Sequence, residues 1–363
     1  MTRIVVTTGP ACASDETLRA LLKAGADAFR FPASKTSVAA LAQQAVRVRA
    51  LAEDLGRPVQ LLLDLPGAKP RLTNDAYLDL SSVTELRLRF DGSAACVDGP
   101  VPVLGVAGTD PGDPLPGVGD VLLIGDGEDA LRVTGHTADT CTAVPLTGGV
   151  IGRRRGIALP RTGRPGRAHT LTPHDLNALR SAPRGVFDAV VLSFTESPGL
   201  LALARTVLAE TAPGGPRPQL IAKVETAAGA AAADAIAAAA DGILLGRGDL
   251  LLDTGPVEFH AACRRVLDAG RAAGCPVDVG TQLLTGLDAG WLPHRSELAH
   301  LAALLTEGVG GLMLAEETAA AADPVRAVAL LDALRDRYAP TPRPGPVVAP
   351  GPAPSPASAP VLP

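Results

Sequence analysis

Lysine is scarce in this chain. Of 33 basic residues only four are lysines (Lys23, Lys35, Lys69 and Lys223), and the other 29 are arginines. Aromatic residues make up 2% of the sequence against 47% hydrophobic residues, so the core has to be packed from Ala, Leu and Val. No apolar window reaches the roughly 18–20 residues of a membrane span. The longest Ala-rich region, Ala227 to Leu245, is interrupted by Asp234 and Asp241. Only three hydrophobic residues follow Arg3 before Thr7, so no signal peptide is expected even though Ala11-Cys12-Ala13 mimics a cleavage site. Five scattered cysteines (Cys12, Cys96, Cys141, Cys263, Cys275) match no zinc spacing and suit reduced thiols. A net charge of −5 lacks the basic face of a nucleic-acid binder, and the one basic cluster, Arg153 to Arg155, sits in a Gly-rich turn. The expectation is a cytoplasmic protein with neither nucleic-acid nor membrane partners.

The last residues, 340–363, contain ten prolines, and this composition predicts a disordered, partly polyproline tail. In residues 1–339 short apolar strands alternate with Ala/Leu helices. Strands are expected at Arg3–Thr8, Ala28–Phe31, Val59–Leu63, Ala189–Leu192, Leu220–Ala222, Gly242–Leu245, Val277–Val279 and Gly311–Leu314. Helices are expected at Asp15–Ala24, near Thr36–Leu55, at Pro173–Ser181 and at Pro324–Tyr338. Between Leu72 and Ile157 the rhythm breaks into short β-runs with Gly/Pro/Asp turns (Glu85–Phe90, Val121–Ile124, Ala130–Val133, Thr142–Val144), which reads as an inserted small β domain. Residues 1–71 and 158–339 then carry eight strand candidates in about 250 residues, the size of a (β/α)8 TIM barrel of the α/β class. A doubly wound sheet is the rival, but no Gly-x-Gly-x-x-Gly follows the first strand.

A barrel places its chemistry at the C-terminal ends of its strands. The reactive residues there are Arg30, Asp64, Lys223 with Glu225, Arg247 with Asp249, Thr281, and Glu317 with Thr318. Any one of these is easily a solvated loop charge; the set is harder to dismiss. Lys223 and Glu225 lie two apart on an extended segment and so point the same way. Glu225 and Asp249, from adjacent strands, offer two carboxylates to one Mg²⁺, while the alternative is a buried structural ion pair. An ammonium beside such a metal suits charge on a phosphoryl group or enolate in flight. In a chain that prefers arginine, the remaining lysines mark places where a compact ammonium is needed. Three of them, Lys35, Lys69 and Lys223, fall just beyond strands.

Thr7-Thr8-Gly9-Pro10-Ala11, Ala28-Phe29-Arg30-Phe31-Pro32-Ala33-Ser34 and Leu62-Leu63-Asp64-Leu65-Pro66-Gly67-Ala68-Lys69-Pro70-Arg71 resemble the opening of the pyruvate kinase family. Ile221-Ala222-Lys223-Val224-Glu225 and Gly242-Ile243-Leu244-Leu245-Gly246-Arg247-Gly248-Asp249-Leu250 continue that pattern, followed by Thr281-Gln282-Leu283-Leu284, Arg295-Ser296-Glu297 and Met313 to Ala319. The insertion, with Ile124-Gly125-Asp126-Gly127 and Gly148 to Pro160, resembles that family's small β-barrel lid. The resemblance implies Mg²⁺ or Mn²⁺ held by Glu225 and Asp249. It implies phosphoryl stabilisation by Lys223 and Arg30, and a substrate carboxylate received at Gly248, Asp249 and Thr281, with the Thr281 hydroxyl near the protonated carbon. Pro10, Arg71, Arg154 and Arg155 would face the nucleotide. The implied partners are phosphoenolpyruvate or pyruvate and ADP or ATP, with a homo-oligomer through barrel contacts. The monovalent-cation site is altered: Pro32 stands where the family has Asn, Ser34 and Asp64 remain, and Lys69 matches potassium-independent members. Potassium is therefore not expected to be required, the Lys69 ammonium taking its place. Leu251, Ala315 and Glu316 depart from the family pattern, and the Pro-rich tail stands where its regulatory domain begins. Two further readings stay open: a metal-dependent 2-oxo acid lyase (decarboxylase or aldolase) using the same enolate site, and a non-catalytic relative whose tail docks a partner.

Overall fold

The computed structural model describes residues 1–34, 36–93, 95–109, 115–137, 139–159, 170–211 and 217–340. Lys35, Pro160 and the proline-rich stretch after Pro340 lie outside them. Eight parallel strands form a closed barrel: β1 (Arg3–Thr7), β2 (Ala28–Pro32), β3 (Gln60–Leu65), β4 (Ala189–Leu192), β5 (Gln219–Val224), β6 (Gly242–Gly246), β7 (Val277–Gly280) and β8 (Gly311–Leu314). Each pairs with its neighbours in sequence, and β1 closes on β8 in the register Arg3 to Gly311. The fold is a TIM barrel.

Alternation along the strands splits the core into two layers. Inside the barrel lie Val5, Ala28, Leu62, Ala189, Val191, Ile221, Leu244 and Met313, without an aromatic ring among them. The opposite strand faces pack against the surrounding helices, where the few rings are spent: Phe29 and Phe31 are fully buried, and Phe31 meets Phe187 edge-on at 5.8 Å between centroids. Helix starts follow their caps. The Ser14 hydroxyl accepts from Thr17 N at 3.0 Å ahead of Asp15–Lys23, and Thr172 with Asp175 forms a capping box on Pro173–Ser181. The helical stretch Arg247–Ala273 breaks at Gly255 (φ 72°), before Pro256.

Between β3 and β4 the chain builds a second sheet with its own core of Leu86, Leu88, Leu104, Val106, Leu122, Ile124, Leu131 and Val133. Its seven strands run in the spatial order Ile157–Ala158, Val121–Ile124, Asp129–His136, Thr140–Pro145, Leu86–Arg89, Val103–Ala107 and Arg71–Leu72. A further pair joins Leu78–Asp79 to Val150–Ile151. The sheet's two edges meet: Leu72 N donates to Arg155 O at 2.9 Å and Ile157 N to Pro70 O at 3.0 Å. Val103–Ala107 escapes a sequence reading because Gly105 interrupts it. That glycine is required by space, since a Cβ there would collide with Ser93 O and Thr73 Oγ1.

Candidate active site

A cleft of about 590 Å³ opens at the C-terminal ends of the strands. Its wall includes Pro10, Arg30, Pro32, Ser34, Asp64, Lys69, Arg71, Lys223, Glu225, Asp249, Ala315 and Glu316, and Asp126 reaches it from the inserted sheet. Lys223 and Glu225, both on the β5 end, meet at 2.7 Å, with the Glu225 side chain 2% exposed. Burial works against the Lys223 charge, but the pull of Glu225 and Asp64 carries its pKa above the ordinary lysine range. Burial pushes the Glu225 carboxyl up, and Lys223 draws it back. Its other oxygen accepts from Phe194 N at 3.1 Å. Arg30 Nε donates to Asp64 Oδ2 at 2.7 Å and Nη1 to Thr7 Oγ1 at 3.3 Å. Asp64 Oδ1 is buried and, among the described residues, has no hydrogen-bond partner.

Several expected residues take other places. Gly248 and Thr281 pack on each other, a Cβ on Gly248 falling 3.2 Å from Thr281 Cγ2, and neither lines the cleft. Arg247 turns away from it: Nε donates to Gly280 O at 2.8 Å and Nη2 to Thr281 O and Gln282 O. Glu317 is buried, and its carboxylate accepts from Leu283 N, Leu284 N and Ala315 N at 2.8–3.2 Å. Thr318 Oγ1 is taken up by the backbone of Thr7. These three are braces for the loops after β7 and β8, where Thr281 (φ 74°) and Gln282 (φ 50°) hold left-handed backbone at non-glycine residues. Arg154 and Arg155 do not reach the cleft either; they pair with Asp75 at 3.2 Å and Glu128 at 2.9 Å on the inserted sheet. Those carboxylates lie far along the chain and are brought beside the arginines by the pairing of the inserted strands, so they take the guanidinium groups away from the cleft. Lys69 contacts not Asp64 but Asp249 Oδ1, at 2.7 Å, while Asp64 pairs with Arg30 through Oδ2.

The ends of β1 and β4 also belong to the site. Thr7, Thr8 and Gly9 line the cleft, as do Ser193 and Phe194. Phe194 acts through its backbone N–H, held at φ 55°, and no side-chain chemistry announces that. Asp126 was visible only as part of a turn motif.

A family profile described as "Pyruvate kinase, barrel domain" matches residues 1–328. The chain belongs to the pyruvate kinase family. A protein named pyruvate kinase from Agrobacterium vitis is 31% identical over 350 residues, covering 92% of this chain and 69% of its own length. One from Methylorubrum extorquens is 29% identical over 348 residues, covering 93% of this chain and 68% of its own. One from Thermococcus litoralis is 29% identical over 337 residues, at 91% and 68%. Membership makes the chain a relative of kinase-type phosphotransferases, and three of its departures from the family pattern, Pro32, Ala315 and Glu316, stand in the cleft wall.

The donor set suits the divalent cation this family uses. Among the described residues no group of three or more His, Cys, Asp or Glu forms a closed metal cage. Glu225 and Asp249 nevertheless face one cleft and feel each other's charge. Two carboxylates with positions left open fit Mg²⁺ or Mn²⁺, which keep water and substrate oxygens as ligands. Among the described residues no helix is long and apolar enough to cross a membrane.

Proposed function

We propose that the chain transfers a phosphoryl group between phosphoenolpyruvate and ADP, giving pyruvate and ATP. One observation carries this reading: Lys223 and Arg30 bring two cations to the same cleft as the carboxylate pair Glu225 and Asp249. Glu225 and Asp249 would hold Mg²⁺ or Mn²⁺, which supplies a Lewis acid toward the oxygens of the 2-oxo acid or its enol. A β-phosphate oxygen of ADP attacks the phosphorus, the bond to the enol oxygen breaks, and the enolate takes a proton at its methylene carbon. Lys223 and Arg30 stabilise the negative charge of the phosphoryl group while it is between partners. Glu225 keeps the Lys223 ammonium aimed, and Asp64 does the same for the Arg30 guanidinium. The family resemblance gives Gly248 and Thr281 the substrate carboxylate and the protonation side, but they pack on each other outside the cleft wall, so the proposal does not rest on them. Pro10 and Arg71 lie on the cleft wall where the nucleotide would sit.

Asp126 favours this reading over a lyase, because it brings the inserted sheet into the cleft wall and a nucleotide site needs that lid. Potassium is not part of the proposal: Asp64 already faces Arg30 and feels Lys223, and Pro32 offers no side-chain oxygen. In a coupled assay with phosphoenolpyruvate, ADP and Mg²⁺, the chain should turn over at a rate unchanged by added potassium. Lys223→Met should lower kcat by at least about a hundredfold, the loss of one transition-state cation. Turnover no greater than that of the variant would refute the proposal. Conversion of oxaloacetate without ADP, followed by proton NMR, would replace it with the lyase.

A further inference from the structure

A second cavity, of about 280 Å³, opens at the other end of the barrel, where β4 and β5 begin. Its floor is apolar: Leu179, Phe187 and Val190 are buried, and half-buried Leu208 closes one side. Neighbouring contacts fix that floor. Phe187 meets Phe31 edge-on, and Arg49 donates to Val186 O at 3.0 Å while pairing with Asp188. The volume lies near the small end of ligand sites, roughly 300 Å³, so the occupant is a compact molecule.

Three arginines stand around the floor. Arg180 lies in the last turn of the helix Pro173–Ser181, Arg184 in the loop before β4, and Arg217 just ahead of β5. The wall holds no acid, although the chain carries a net charge of −5. Asp188, beside it, is engaged by Arg49, and Glu210 is exposed outside the wall. Helix capping accounts for one arginine: Arg184 Nη2 donates to Thr211 O, at 2.5 Å, on the last residue of the helix Pro198–Thr211. Arg180 and Arg217 make neither an ion pair nor a side-chain hydrogen bond among the described residues. The two helix ends bring roughly half a negative charge each, which three guanidinium groups exceed.

We propose that this cavity binds a small monocarboxylate with an apolar body, its carboxylate held at the rim by Arg180 and Arg217 and its body against Phe187, Val190 and Leu208. A guanidinium fork matches the two oxygens of a carboxylate. An inorganic anion gains nothing from the apolar floor, and an uncharged apolar molecule leaves the two cations unanswered. Barrel chemistry belongs to the opposite end, and the two cavities share no lining residue. The occupant is therefore a separate ligand rather than a substrate, and the inference does not depend on the phosphoryl-transfer reading.

The test is calorimetric titration of the full chain with acetate, butyrate and hexanoate, and with hexanol and inorganic phosphate beside them. Hexanoate should bind with a Kd of about 1 mM or below, the range open to so few atoms. Affinity should rise roughly two- to fourfold with each methylene from acetate to hexanoate, as burial of the body requires. Hexanol and phosphate should each bind at least about tenfold more weakly than hexanoate, as should hexanoate to the double variant Arg180→Gln, Arg217→Gln. Where that variant loses the wild-type circular dichroism, Arg180→Lys with Arg217→Lys takes its place, keeping the charges and losing the forks. Phosphate binding as tightly as hexanoate, affinity independent of chain length, or hexanoate affinity unchanged in the double variant would overturn the proposal. So would hexanoate binding that is lost in Arg30→Gln, which would place the carboxylate in the cleft at the other end of the barrel.

Discussion

Lys223 stands near the end of β5 and Glu317 just beyond β8, yet their surroundings give these two charges opposite work. Lys223 is aimed into the cleft by Glu225. Glu317 points back into the protein and satisfies three backbone N–H groups of the loops after β7 and β8. Removing it strands buried donors, each costing about 1–3 kcal/mol. Glu317→Ala should therefore lose about 2–5 kcal/mol in urea unfolding, and the released loop should lower kcat through Thr281 and Gln282; a variant as stable as wild type would refute the brace. Asp278, 1% exposed on β7, shows the converse case at the residue scale. Burial raises its carboxyl pKa, and Arg3, contacting both oxygens at 3.0 Å, only partly offsets this. An acid whose folded value lies above its unfolded one contributes stability that is complete below the ordinary carboxylate range and is lost as pH rises through the raised value. Unfolding midpoints of the wild type should therefore carry a downward component from about pH 4 upward, and Asp278→Asn should flatten it.

At the scale of elements, what was legible tracks burial. The eight barrel strands are covered on both faces, so each reads as a short apolar run, and all eight appear within a residue or two at their ends. Helices with Ser14 or Thr172 before them begin where their caps predict. The insertion is harder. Its strands are two to eight residues long, and Leu78–Asp79, Val103–Ala107 and Val150–Ile151 gain their identity from partners far along the chain rather than from pattern. The same limit applies to the site. A charged residue after an apolar strand is visible, as Arg30, Asp64, Lys223 and Asp249 were; which acid it faces is not. Nothing local tells Lys69 to choose Asp249, or Arg247 to brace carbonyls. Phe194 contributes an N–H, which every residue has, so only its left-handed backbone reveals it.

On the scale of the whole molecule the chain holds two cores that share no buried residue, one around the barrel strands and one inside the insertion. The insertion leaves and returns at nearly one point, since Arg71 bridges Gly156 and Ile157 N donates to Pro70 O. Barrel closure, set by β1 on β8 and β3 on β4, does not pass through it. Joining the chain across that point, with residues 72–156 replaced by a short glycine linker, should therefore leave a barrel that still unfolds cooperatively in a circular dichroism melt. Glu225, Asp249, Lys223 and Arg30 all stay in the barrel, so Mn²⁺ binding should survive. Phosphoryl transfer to ADP should fall below detection, because Asp126 and the cover over the nucleotide are gone. Turnover of a 2-oxo acid by the excised chain at the full-length rate would show instead that the lid is dispensable, and the lyase reading would displace the kinase one. Loss of cooperative melting would show that the two cores are coupled through the hinge at Lys69 and Gly156 more tightly than their separate packing implies.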